Sequence, residues 1–366
     1  MKGRNLKSPL LAGLYATALC AGTFSALQAQ APAAGAGGGR GSQNQVAKVD
    51  DVMGMLAALP DKAPAAPKQA RRVLVLGRAQ GFVHSSIPLA ARTIEALGQK
   101  TGAWTTVISY NAADINDENL KQYDLVFLDS TTGTFLDDPA DATVTAARRK
   151  ALLDFVRGGK GIAGIHAATD SYHGNVTAGA GRAAAPAAPV PGAPAAAPAG
   201  RGLSDGGQGL WPEFNKLIGG YFKFHWSYPT QIWVKVEDAN NPINAAFTRV
   251  NPQSGARTAS SFSIVDEVYT FNQDSWSRTN AHVLTSIDYD RMPAEVKALE
   301  PSPQRTDHDF ALSYIRREGQ GRVFVQVLGH DESIYKIRPM LEHILAGVQY
   351  AIGDLQADDT PSGPRK

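Results

Sequence analysis

The chain has 366 residues, a mass of 38.8 kDa and a formal net charge of +2, with 43% hydrophobic and 19% charged residues. This length is enough for two average domains or for one large α/β domain, and the composition excludes a wholly disordered or fibrous chain. A net charge this close to zero provides no general attraction to nucleic acid or to an anionic membrane, so we expect neither as a partner.

The first 29 residues have the pattern of a secretory signal peptide. Residues 1–7 carry three basic side chains and no acidic one, residues 9–27 are mostly apolar and small, and Ala29 offers a small residue at a cleavage position. An uncleaved membrane anchor is the alternative, but hydroxyl side chains within the apolar stretch lower its hydrophobicity. We therefore expect a secreted or periplasmic protein that is not stably inserted in a membrane once the leader is removed.

The single cysteine, Cys20, lies inside this predicted leader. The body of the chain therefore has no disulfide, no thiolate metal site and no cysteine nucleophile.

Two low-complexity segments divide the remaining chain. Residues 30–70 are predicted to be a linker that contains one short helix, because apolar residues recur at helical spacing over residues 46–59 and Pro60 follows them. From residue 175 to residue 209, 25 of 35 residues are Ala, Gly or Pro, which predicts a disordered surface insertion. Residues 354–366 are expected to be a C-terminal tail.

The first half of the body alternates between strand and helix patterns. Apolar runs at residues 72–77, 104–110, 123–129 and 161–165 predict buried strands. Helices are predicted from Pro88 and over residues 143–156, with Ser85 or Ser86 as the N-cap of the first one. The alternation predicts an α/β fold with a doubly wound, mostly parallel sheet and flanking helices.

The second half of the body is richer in strands. Residues 231–236, 281–287 and 322–328 predict strands, and residues 337–352 predict a closing helix. In open α/β sheets, ligands bind outside the carboxyl ends of the parallel strands. Functional side chains are therefore expected in the loops that follow those strands.

Three of the eight histidines follow predicted strands. His84, His166 and His330 are expected on one rim of the sheet, and His225 follows a Gly-Gly turn and an aromatic pair. Four imidazoles are candidate ligands for a divalent metal ion, zinc or similar, or candidate groups of an acid–base site. A single loop histidine is more often a surface residue or a satisfied hydrogen-bonding group, and the spacings form no compact metal motif.

A pair of adjacent carboxylates, Asp266 and Glu267, adds candidate catalytic groups. Two carboxyl groups side by side suit acid–base chemistry, although the pair equally suits the plain start of a strand. Asp170, four residues after His166, is a further candidate on the same rim.

Five long motifs in order resemble the ThuA-like (trehalose utilisation) domain, a branch of the class I glutamine amidotransferase-like, flavodoxin-like fold. The resemblance covers about residues 71–353. The motifs are GFVHSSIP (residues 81–88), GGKGIAGIHAATD (158–170), WPEFNKLIGGYFKFH (211–225), DEVYTF (266–271) and GQGRVFVQVLGHDESIY (319–335).

The resemblance also implies which chemistry is absent. In class I amidotransferases, the strand that residues 162–165 resemble ends in a sharp elbow that carries a nucleophilic cysteine. Here His166 occupies the elbow, and His330 lies where the amidotransferase histidine follows its strand. Imidazole does not form the thioester that amidotransfer uses, so we expect no glutaminase activity.

The family is associated with the use of trehalose and related disaccharides, often beside oxidoreductases that make 3-keto sugars. The resemblance therefore implies a carbohydrate-processing protein, a hydrolase, lyase or isomerase, that acts by metal-assisted or acid–base chemistry without a nucleotide cofactor. In this hypothesis some of the four histidines hold the metal ion, and Glu267 or Asp266 removes a proton. His166 and His330 join these carboxylates as candidate catalytic residues. The candidate sugar-binding residues are His84, Asp170, Trp211 and Trp226.

Two alternatives remain open from the sequence. One is a non-catalytic sugar-binding or scaffold protein, and the other is a metal-independent hydrolase that uses an Asp/Glu pair. For the tryptophans, core packing is the competing interpretation. The sequence indicates neither the sugar nor the oligomeric state.

Overall fold

A computed structural model of the chain describes residues 43–173, 209–250, 257–259 and 261–364. The predicted signal peptide and all but the last residue of the predicted insertion at 175–209 lie outside these residues. Within the part that is described, no helix is both long enough and apolar enough to cross a membrane.

The described residues contain eleven strands and seven α-helices. The strands are β1 (Arg72–Leu76), β2 (Thr105–Ser109), β3 (Leu125–Asp129), β4 (Gly161–Ile165), β5 (Phe222–Val236), β6 (Thr248–Val250), β7 (Arg257–Ala259), β8 (Phe262–Phe271), β9 (His282–Ile287), β10 (Ala311–Glu318) and β11 (Gly321–Gln326). The helices are α1 (Val49–Ala58), α2 (Ile87–Thr101), α3 (Asp117–Leu120), α4 (Ala142–Arg157), α5 (Pro212–Ile218), α6 (Ala294–Lys297) and α7 (Arg338–Ala351).

Nine of these strands form one sheet in the order β2-β1-β3-β4-β11-β10-β9-β5-β8. The first five strands in this order are parallel neighbours, and each later neighbour is antiparallel, so seven of the nine run in one direction. The prediction of a doubly wound, mostly parallel sheet with a strand-rich second half is confirmed. The short strands β6 and β7 pair with each other.

The parallel half is buried because helices cover it. Strand β4 is buried at all five positions, and both α4 and α7 pack against it. The short apolar runs of the sequence suit this position, since a parallel strand covered on both faces needs no polar side. The carboxyl ends of β1, β4 and β11 consequently lie on the same rim.

Ser86 precedes α2 as predicted but does not cap it. Its backbone is already helical and its hydroxyl makes no capping hydrogen bond. Instead, Ser86 Oγ donates to the Gly329 carbonyl oxygen at 3.0 Å, because the residue is fully buried against the loop after β11. The start of α2 is thereby tied to the loop that carries His330.

Asp266 and Glu267 are the fifth and sixth residues of β8, so they lie within the strand and not at its start. The strand alternates between buried and exposed residues up to Val265 and is buried from Asp266 onward. The burial changes there because the two carboxylates face the loops after β4 and β11, as their contacts below describe, and not solvent.

The residues after α7 are anchored to the body. Asp354 accepts hydrogen bonds from Arg71, the shortest at 2.6 Å, and His282 Nδ1 lies 2.7 Å from the Thr360 carbonyl oxygen. The described part of the predicted C-terminal tail therefore packs against the sheet.

Candidate metal centre

The three histidines predicted to share one rim are in contact. His84 lies in the loop after β1, His166 directly after β4, and His330 in the loop after β11. The ring centroids are 4.6 Å apart for His84 and His166, 5.1 Å for His84 and His330, and 5.2 Å for His166 and His330. Residues separated by up to 246 positions in sequence, 84 to 330, thus form one cluster.

Glu267 of β8 lies at the centre of this cluster. Its Oε2 is 3.0 Å from His330 Nδ1, 3.4 Å from His166 Nε2 and 3.9 Å from His84 Nε2. Its other oxygen, Oε1, is 2.9 Å from Nδ1 of His225 on β5. One carboxylate therefore faces all four histidines that the sequence singled out.

The backbone at the end of β4 sets the orientation of His166. Its φ of 48° is in the left-handed region, which is unfavourable for a residue with a Cβ and indicates local strain. Its Nδ1 lies 3.1 Å from the Val327 carbonyl oxygen, which can only accept a hydrogen bond. Nδ1 therefore carries the proton, and in the neutral ring Nε2 presents a lone pair to the cluster.

Asp266 holds the loop that carries His330. Its Oδ2 accepts from the Gly329 N–H at 2.6 Å, and its Oδ1 accepts from the Asp331 N–H at 3.1 Å. The Gly329 carbonyl accepts from Ser86 and from the Tyr335 hydroxyl. Gly329 has a φ of 135°, and a Cβ there would lie 2.8 Å from the Tyr335 hydroxyl oxygen, so the loop requires glycine.

Tyr269 is a site residue that the sequence analysis did not single out. Its hydroxyl oxygen lies 3.3 Å from His84 Nε2. Glu267 and Tyr269 are two positions apart in β8, and residues at this spacing point to the same face of a strand. The two-residue repeat of a strand would therefore have indicated Tyr269 as a site residue, once β8 was predicted to include both Glu267 and Tyr269.

Burial and charge act against each other in this cluster. Burial lowers the pKa of His84 to about 3, so this ring is neutral at physiological pH. Burial alone would raise the pKa of Glu267, but the close imidazoles of His166, His225 and His330 outweigh burial and hold the pKa below its ordinary value. Burial alone would lower the pKa of His330, but Glu267 raises it above the ordinary value.

The donor atoms of His84, His166, His330 and Glu267 fit a divalent metal ion. All four lie within 4.8 Å of one another. In a tetrahedral site with bonds of about 2.0–2.1 Å, neighbouring donors are about 3.3 Å apart. The distances among His166 Nε2, His330 Nδ1 and Glu267 Oε2 are 3.0, 3.3 and 3.4 Å. Three imidazoles and one carboxylate form a donor set that suits zinc or a similar ion.

The other predicted site residues lie apart from this donor set. Asp170 is in the turn after His166, with Oδ1 2.6 Å from His173 Nδ1. Trp211 is 4% exposed and packs on Tyr172 and Phe214. Trp226 is fully buried, and its indole N–H donates to the Val296 carbonyl oxygen at 2.8 Å. Both tryptophans therefore belong to the core.

Comparisons with known proteins agree with this architecture. The family model for ThuA, described as trehalose utilisation, matches residues 72–205 and 201–351. The chain is similar to a solved ThuA-like protein from Bacteroides uniformis, with 16% identity, a TM-score of 0.50, and 79% of this chain and 94% of that chain covered. It is also similar to a solved ThuA-like protein from Parabacteroides merdae, with 15% identity, a TM-score of 0.45, and 78% of this chain and 91% of that chain covered. No curated protein matches the chain.

Proposed function

Because the chain belongs to the ThuA (trehalose utilisation) family, we propose that it is a metal-dependent enzyme that processes disaccharides or their 3-keto derivatives. The observation that carries the proposal is the convergence of His84, His166 and His330 on Glu267 at the carboxyl edge of the sheet. The donor set supports the metal, and the description of the family supports a carbohydrate substrate.

In this proposal His84, His166, His330 and Glu267 hold the ion, zinc or a similar metal. A divalent ion held by these residues would polarise a carbonyl or hydroxyl oxygen of a substrate that takes a fifth coordination position. The chain's own contribution is to fix the ligands: the Val327 carbonyl orients His166, and Asp266 holds the backbone on both sides of His330. Neighbours of this kind set ligand orientation and metal affinity.

His225 is the residue that we assign to proton transfer. Its Nδ1 lies 2.9 Å from Glu267 Oε1, which places the ring against the cluster, and in this proposal Nε2 accepts or donates the proton. The sequence analysis assigned this role to Glu267 or Asp266. Their contacts favour His225, because Glu267 is a metal ligand in this proposal and because both oxygens of the buried Asp266 accept backbone hydrogen bonds.

The same contacts argue against a metal-independent glycosidase. Such an enzyme needs two carboxyl groups on either side of the scissile bond, one of which must hold a proton. Asp266 and Glu267 are adjacent in one strand and are engaged with the His330 loop and with the four histidines.

Element analysis of the purified protein, combined with a turnover assay, tests the proposal. We expect about one divalent ion per chain, lost in His166→Ala and retained in the matched control His282→Ala, a histidine paired with Asp238 away from the cluster. Turnover of trehalose or 3-keto trehalose should stop in excess chelator and return with zinc. A metal-free protein, or turnover that chelator leaves unchanged, would refute a metal-dependent enzyme. Sugar binding without turnover would instead establish the non-catalytic alternative.

We also propose that the protein is exported through its N-terminal leader, on the basis of the basic, apolar and small-residue pattern of residues 1–29. The mass of the protein recovered from the periplasm or medium of an expressing bacterium tests this. Loss of residues 1–29 is the expected result, and an unprocessed chain that stays in the cytoplasm contradicts export.

A further inference from the structure

The exposed aromatic residues that the structure describes both contact the histidine cluster. Among the Phe, Tyr and Trp residues that the structure describes, Phe82 and Tyr228 alone are largely exposed, at 57% and 41%, and all the others are buried or half-buried. An isolated exposed apolar residue needs no explanation. Two exposed aromatic residues that contact the same cluster of histidines do need an explanation.

Each of these rings contacts a different candidate ligand. The Phe82 ring lies 4.8 Å from the His84 ring at an angle of 71°, and the Tyr228 ring stacks on His330 at 5.7 Å and 23°. The side chain of His330 is 24% exposed, whereas His84 and Glu267 are almost fully buried and His166 is completely buried. The cluster therefore meets solvent at His330, beside Tyr228.

The two rings are carried by different parts of the fold. The Phe82 carbonyl accepts from Thr132 Oγ1 at 2.9 Å, and the same hydroxyl accepts from the Gly81 N–H at 3.0 Å, so the loop that carries Phe82 is anchored. Tyr228 lies within the span of β5, between Trp226 and Thr230, where the pairing with β8 shifts register.

We propose that Phe82 and Tyr228 form a stacking site for a sugar ring, which we name the aromatic rim, and that it holds the substrate over His330. This inference rests on the proposed function. A pyranose has an apolar C–H face that packs on aromatic rings. The aromatic rim replaces Trp211 and Trp226, which the core encloses, as the sugar-binding surface.

Calorimetric titration of the zinc-loaded protein with trehalose tests the aromatic rim. Tyr228→Ala and Phe82→Ala should each weaken trehalose binding about tenfold, since one aromatic contact contributes about that factor. Tyr228→Phe keeps the ring and should retain most of the affinity. Val250→Ala, which shortens an exposed apolar residue on β6, is the matched control and should bind as the parent does. All four variants should keep the parent's zinc content.

The outcomes separate this inference from the function on which it rests. If the parent binds trehalose and both alanine variants bind it equally well, the aromatic rim is refuted while the proposed function stands. If the parent holds zinc but binds neither trehalose nor its 3-keto derivative, the carbohydrate function fails and the aromatic rim fails with it. If the alanine variants lose zinc together with trehalose, the rings support the metal ligands and do not bind sugar, which also overturns the inference.

Discussion

Replacing Asp266 by asparagine should weaken metal binding although no metal ligand is removed. Asp266 accepts two backbone hydrogen bonds, at 2.6 Å from Gly329 and at 3.1 Å from Asp331, and these two residues flank His330. Asparagine has nearly the same shape but keeps one acceptor oxygen. Its amide group would face a backbone N–H, so one hydrogen bond is lost and two donors meet.

The size of the effect follows from the hydrogen bond that is lost. A hydrogen bond to a charged group contributes about 1.5–3 kcal/mol, and the cost falls on the conformation of the loop that positions His330. If the ligand must be repositioned at this cost, zinc affinity falls about 10- to 100-fold.

Competition with a chromophoric zinc chelator measures this affinity directly. Asp354→Asn is the matched control, because Asp354 is also a buried carboxylate but pairs with Arg71 at the residues that follow α7. Both variants should unfold at lower temperature than the parent, and only Asp266→Asn should bind zinc less tightly. Equal zinc affinity in Asp266→Asn and the parent would refute the role of Asp266 as a positioning residue.

Three further predictions concern separate groups. Glu267→Gln removes the charge at the centre of the cluster and should lower zinc affinity about a thousandfold, since removing one partner of a buried charge pair costs about 3–5 kcal/mol; an affinity within tenfold of the parent's in the chelator assay contradicts this. Burial lowers the pKa of His343 to about 4. Below about pH 6.5 this side chain therefore gains a proton in the unfolded chain, whereas in the folded protein it stays neutral until the pH approaches 4. This group should therefore lower the free energy of unfolding by about 3 kcal/mol as the pH drops from 6.5 to 4. In urea unfolding over the same pH range, the free energy of His343→Gln should decline by about that much less than the parent's. Trp226→Ala should lower the free energy of unfolding by about 3–5 kcal/mol in the same urea assay and leave the trehalose affinity of the folded protein unchanged. A loss of trehalose affinity without a loss of stability would show instead that Trp226 binds the sugar.

The sheet was predictable because its strands carry a local pattern. The runs RVLVL and GIAGI correspond to β1 and β4, and helices pack on both: α2 on β1, and α4 and α7 on β4. A strand covered on both faces must be apolar throughout, so the composition of such a run is enough to identify it. Strand β8 was harder to delimit, because the carboxylates of Asp266 and Glu267 interrupt its apolar run.

The roles of single side chains were less predictable. Ser86 has the residue type and position of an N-cap, yet its hydroxyl bonds to Gly329, which is 243 residues away in sequence. Trp226 and Tyr228 are two aromatic residues of the same strand, and one is fully buried while the other is exposed beside His330. Burial depends on which distant elements pack against a residue, and neither residue type nor local spacing contains that information.

The sequence by itself determined the α/β architecture and the rim on which the histidines lie, because hydrophobic periodicity and the direction of parallel strands are local or topological properties. Only the tertiary structure decided that Glu267 lies at the centre of four imidazoles, that Asp266 supports a loop, and that Phe82 and Tyr228 contact His84 and His330. The physical reason is that donor distances of 3.0–3.9 Å arise where the loops after β1, β4 and β11 approach Glu267 of β8, and the relative placement of these segments follows from packing of the whole chain.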